Sequence, residues 1–134
     1  MADLETSAVT PVGVWNFNGG AATNVFNSVE TGITAGATQT QVGATALTKH
    51  VNNVTIVGTN GDGVKLPSAV AGMRVVIINS DAAQTIKVWP ATDDNVGAGA
   101  NLASATQIAA GSARVCYAID ATNWKCFTDS VVLA

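Results

Sequence analysis

The hydrophobic and polar positions of this chain alternate with a period of two, and no window sustains a helical period long enough to specify a helix. The richest stretch is residues 72–90. Met73, Val75 and Ile77 fall on one face of an extended strand and Val76 and Ile78 on the other, which predicts a strand inside a sheet. Ile86 and Val88 alternate with Lys87 in a half-buried partner, and Pro90, with no N–H to donate, stops that ladder. Residues 80–83 are small or polar, so the two runs are predicted to form a hairpin.

Upstream, residues 31–36 and 38–47 are rich in Thr and Gln and predict exposed or edge strands. Residues 53–57 predict a short strand, 59–63 a turn, and Val64 the start of the next strand. Pro67 near the start and Gly72 at the end of residues 67–72 predict a single helical turn. Downstream, residues 91–107 are weakly patterned, and residues 114–119 return through a turn at 120–123 into residues 123–127. In that last hairpin Cys116 faces Cys126 directly, and Trp124 shares their face with Ala118 as an aromatic plug of the core. A cross-strand disulfide is geometrically open there. A chain folded in a reducing cytoplasm is nevertheless expected to keep two thiols, with a thermal stability that reductant leaves unchanged.

Residues 1–30 have a different character. They contain no Lys or Arg and hold Trp15, Phe17 and Phe26; residues 12–17 favour a strand, and Asn18-Gly19-Gly20 signals a turn. Burial of so few large side chains falls short of the conformational entropy lost in ordering so long a segment, so it must lie on the rest of the chain or on a partner. The sequence thus divides into an N-terminal arm, residues 1–30, and a β-rich module, residues 31–134. The fold expected is all-β, a β-sandwich or barrel-like module with an extended N-terminal arm. Trp15, Phe17 and Phe26 are the candidate partner-binding residues, because aromatic side chains supply the most contact area per ordered residue.

Composition sharpens this picture. Of 134 residues, 48% are hydrophobic but only 11% are charged, against roughly 25% in ordinary soluble domains. A surface of Thr, Asn, Ser, Ala and Gly is expected to be covered in part by other subunits, so the protein should be an oligomer. The net charge of −3, a pI near 4.7 and six scattered Lys and Arg residues argue against phosphate-backbone binding, and hence against direct contact with nucleic acid. The uncharged stretches are too rich in Thr, Gln and Gly to cross a bilayer, and Met1 to Glu5 lacks the charged and apolar regions of a secretory signal. Cytoplasmic synthesis without membrane contact is the expectation.

Candidate chemistry changes little. The single histidine, His50, has no nucleophile spaced near it, and the cysteines lack metal-ligand spacing. Asp62 and residues 93–95 lack the alternating oxygen ligands of a calcium loop, and Gly97 and Gly99 lack the third glycine of a dinucleotide motif. No catalytic residue, metal or cofactor is predicted, and the protein is not expected to be an enzyme.

Taken together, residues 52–57, 62–67, 71–73, Val76 with Ile78 and Asn79, 88–91, 108–112 and Trp124 resemble a module found repeatedly in virion proteins of tailed bacteriophages. Such modules occur in small capsid decoration (cement) proteins and at the ends of head or tail fibres, and the likeness covers about residues 31–127. It implies an all-β, trimeric structural protein, made in the host cytoplasm, that binds the major capsid protein on the outer surface of the virion and stabilises the capsid. The alternative it leaves open is a receptor- or glycan-binding module of a fibre, in which Trp89 or Trp124 stacks on sugars; core packing is the competing role for both rings. A fibre protein is also expected to carry a repetitive shaft, and these 134 residues show none.

Overall fold

The computed structural model describes residues 28–97 and 106–128. Among these residues all regular structure is strand: β1 (Val29–Thr34), β2 (Thr45–Ala46), β3 (Val51–Ile56), β4 (Gly63–Lys65), β5 (Arg74–Asn79), β6 (Ile86–Trp89), β7 (Asn95–Val96), β8 (Thr106–Ile108), β9 (Ala113–Ala118) and β10 (Asn123–Thr128). The all-β expectation is met. The expected arm lies outside the described residues except for Ser28 to Glu30, and strand structure begins at Val29.

The strands form two sheets, ordered β1-β3-β5-β9-β10-β7 and β2-β4-β6-β8. From β1 to β6 the chain visits the two sheets alternately, and β1, β3 and β5 pair in parallel, as do β2, β4 and β6. That path is a short β-solenoid. It closes with antiparallel pairings of β9 with β5, β9 with β10, and β8 with β6. One core lies between the sheets: Val54, Val75, Ile77, Cys116 and Trp124 come from the larger sheet, and Val64, Ile86, Val88 and Ile108 from the smaller.

The predicted hairpin between residues 72–79 and 84–90 is not formed. β5 and β6 are strands as expected, but they lie in opposite sheets. Their inward side chains, Val75 and Ile77 on one and Ile86 and Val88 on the other, meet across the core instead of lying side by side. Side chains at the corner favour this path. Buried Asn79 donates its amide to the carbonyls of Gln84 (2.8 Å) and Ile108 (3.1 Å), and Asp81 accepts from the amides of Ala83 (2.9 Å), Gln84 (2.8 Å) and Val57 (3.3 Å). These bonds satisfy backbone groups that a two-strand ladder would otherwise have to pair.

The helical turn predicted at residues 67–72 is also absent. Leu66 donates to the Trp89 carbonyl (2.8 Å) and Ala69 to Asp94 Oδ2 (2.8 Å), which holds the segment extended until a turn at Ala71-Gly72 closes with Met73 N–H on the Val70 carbonyl (2.9 Å). Gly72 has φ +90°, a left-handed conformation that ends any right-handed helix. At the first corner the backbones themselves are close: a Cβ on Gly36 would lie 1.9 Å from the Gly43 carbonyl oxygen, so only glycine fits.

The last hairpin has the predicted register, with Cys116 opposite Cys126 and Ala118 opposite Trp124. Its thiol state differs from the expectation. Cys116 and Cys126 are bonded, their Cα atoms 4.0 Å apart at directly opposed positions. The reduced pair expected of a cytoplasmic chain is therefore corrected: strand register alone brings the sulfurs into bonding range. Because the bridge closes a loop of separation 10, reduction is expected to remove about 2–3 kcal/mol of stability. Thermal melts with and without reductant check this, and identical melts would show that the bridge adds nothing.

Two carboxylates, half-buried Asp81 and exposed Asp120, hold corners by the same chemistry. The Ala83 amide, followed by those of Gln84 and Val57, lowers the Asp81 pKa below its ordinary 3.8. Asp120 is lowered likewise by the Thr122 amide and the Asn123 side chain. A depressed native pKa contributes stability that is present above the unfolded value and is lost as pH falls through the native one. Both corners should therefore keep their geometry down to about pH 4 and loosen below it. Amide shifts of Ala83 and Thr122 followed by NMR test this, with the Ala83 titration expected to vanish in Asp81→Asn.

Candidate attachment surface

The strand pattern puts one face of the larger sheet outward, and the register lines up its side chains. Val29 pairs with Val51, Val51 with Val76, Val76 with Val115, and Val115 with Phe127. Paired residues in a sheet share a face, so these five apolar side chains form one row across β1, β3, β5, β9 and β10. Val29 is 62% and Phe127 59% exposed, and the three valines between them are half-buried. Tyr117 stands beside the row, 6.2 Å from Phe127 between ring centroids, and pairs with Arg74 and Lys125 on either side. The face is thus apolar along its middle, with a cationic flank.

The part of the prediction concerning Val76 and Ile78 therefore needs refinement. β5 is central, but only its inner positions are fully buried, and its outer ones remain half-exposed on this face. No local signal shows that Val29, Val51, Val76, Val115 and Phe127 align, because their alignment depends on pairings between distant segments.

Trp89 is 8% exposed and Trp124 is fully buried. The Trp89 ring lies against Gly63, where a Cβ would come within 3.0 Å of its Cδ1 and Nε1. Neither indole N–H has a hydrogen-bond partner among the described residues. Neither ring offers a free face to a sugar, so the stacking role suggested for them is not open. Trp15, Phe17 and Phe26 lie outside the described residues.

A half-open cavity of about 920 Å³ lies at the end of the module where β3 and β5 begin. Met73, Pro67, Val51 and Val75 give it apolar walls, and Lys49, His50 and Arg74 line it as well. His50 Nδ1 lies 3.1 Å from the Arg74 carbonyl. Among the described residues, no group of three or more His, Cys, Asp or Glu side chains is placed to hold a metal ion, and no helix is long and apolar enough to cross a membrane.

Comparison with protein-family models, with curated proteins and with solved structures finds no match in any of the three.

Proposed function

We propose that this protein is a structural virion protein that binds the outer surface of a tailed-phage capsid as a homotrimer and stabilises it. The finer fold reading that goes with this is a two-sheet, sandwich-like module traced by solenoid coils, carrying residues 1–30 as an arm. The observation that carries the proposal is the apolar row on the outer face of the larger sheet, in a chain with only 11% charged residues. An exposed apolar face of that kind is costly in a free monomer and suits contact between subunits. The resemblance of residues 31–127 to virion modules supplies the setting. Trp15, Phe17 and Phe26, in the arm, are the side chains assigned to the major capsid protein.

Val115 lies in the row between Val76 and Phe127. Val115→Lys should turn the trimer into a monomer in sedimentation at micromolar protein, a loss of at least tenfold in association, because a buried unpaired ammonium costs several kcal/mol. The far-UV spectrum should stay unchanged, since position 115 faces away from the core. A wild-type protein that sediments as a monomer at every concentration would refute the trimer.

A fibre-tip receptor module is the second reading. Tyr117 (42% exposed) and Phe127 are the aromatic side chains that could serve it, in place of Trp89 and Trp124. Copy number in purified particles separates the two: hundreds of surface copies support decoration, and a few copies at one vertex support a fibre.

A further inference from the structure

We propose that Asn60-Gly61, in the corner between β3 and β4, is a self-modifying site kept latent by Thr85, losing ammonia to form a succinimide only when the corner opens. The sequence supplies the chemistry. Glycine has no side chain to hinder attack of its amide nitrogen on the Cγ of the preceding asparagine. Asn60 is exposed, so water and base reach it directly. Glycine is also required at residue 61 for its own sake, because φ there is +94°.

Both reacting groups are held by one residue. The Gly61 N–H donates to the Thr85 carbonyl (2.7 Å), and the Thr85 N–H donates to Asn60 Oδ1 (2.8 Å). Next to them the Lys87 N–H donates to the Asp62 carbonyl (3.0 Å), which makes the clamp continuous with β6. Ring closure begins when base removes the Gly61 amide proton. In the closed corner that proton is engaged by Thr85, so its removal needs a local opening. The nitrogen then bonds to Asn60 Cγ, the bond from Cγ to the side-chain nitrogen breaks, and ammonia leaves with a proton taken from water. A second water opens the succinimide at either carbonyl, giving aspartate or isoaspartate. Isoaspartate routes the main chain through Cβ and Cγ, one atom longer than before, so the two bonds to Thr85 no longer register together and the corner stays open. Hydrogen exchange removes the same Gly61 proton by the same base catalysis, so one opening controls both processes. The proposal rests on this corner alone and does not require the virion reading.

The test incubates the full-length chain in mildly alkaline buffer, folded and unfolded in urea with reductant, and follows conversion of residue 60 by peptide mapping, which separates it from Asn18-Gly19. The folded chain should convert at least about tenfold more slowly than the unfolded one, by a factor matching the protection of the Gly61 amide to within about threefold. A second variant changes the opening without touching the reacting groups. Asp81→Ala removes the acceptor of the Val57, Ala83 and Gln84 amides on either side of the corner, and should raise Gly61 exchange and Asn60 conversion by the same factor. Conversion of the folded wild type within twofold of the unfolded rate would overturn the clamp. Absence of conversion even in urea would overturn the site itself, and a rise in only one of the two rates in Asp81→Ala would overturn their common gate.

Discussion

Trp124→Ala is expected to destabilise the module by about 3–5 kcal/mol, the range for removing a large aromatic side chain from a close-packed core. Trp124 is the largest fully buried side chain among the described residues; it lies opposite Ala118 on β9 and Val96 on β7, within the cluster that includes Cys116. Ala118 is too small to fill the space, and the disulfide beside it holds β9 and β10 together, so the site cannot collapse. Because the indole N–H has no partner among the described residues, the loss is one of packing and not of hydrogen bonding. Trp124→Phe should therefore cost clearly less, about 1–2 kcal/mol, since it removes an unsatisfied donor along with part of the ring. Urea denaturation followed by circular dichroism gives both values. If Trp124→Ala lost less than about 1 kcal/mol, the tight core described around this residue would be wrong.

If the proposed capsid-binding role holds, replacing both Trp15 and Phe17 by alanine is expected to weaken binding to undecorated capsids by several kcal/mol, on the order of 3 per residue before non-additivity. The expectation follows from the arm's composition: it has no basic side chain, and its aromatic residues offer most of the area available for burial on a partner. Each 1.4 kcal/mol is a tenfold change in affinity, so the double variant should lose at least a hundredfold. Its β-sheet circular dichroism should be retained, because the two-sheet core is built from residues 33–124. Loss of binding together with the β signal would mean that these residues belong to the subunit's own core. Intact binding would remove them as anchors.

The solenoid corners explain how the sequence could be so legible locally and misleading at longer range. The alternation of Ile86, Lys87 and Val88, the turn at residues 59–63, and the direct opposition of Cys116 and Cys126 were all readable, because each depends on neighbours a few residues away in the chain or across one tight turn. Strand propensity and period two sufficed there. The same pattern could not say which strands would be neighbours. A period of two specifies which side chains point inward but is indifferent to whether the next strand is an antiparallel partner in the same sheet or a strand of the opposite one.

That choice was made at the corners. Asn79 reaches Ile108, 29 residues away, Asp94 takes the Ala69 amide, 25 residues away, and Gly36 exchanges two backbone hydrogen bonds with Gly63. None of these contacts has a local signature, so a small-residue corner at 80–83 read as a hairpin turn and Pro67 to Gly72 as a helical turn. The outer face of the larger sheet is the clearest case. Val29, Val51, Val76, Val115 and Phe127 are ordinary strand residues one at a time, and only the parallel stacking of successive coils, closed by the β9–β10 hairpin, aligns them into a row. Local chemistry thus determined that this chain forms strands with one apolar face. Long-range backbone pairing, satisfied by buried Asn and Asp side chains, decided that a second set of apolar positions would be gathered on the outside.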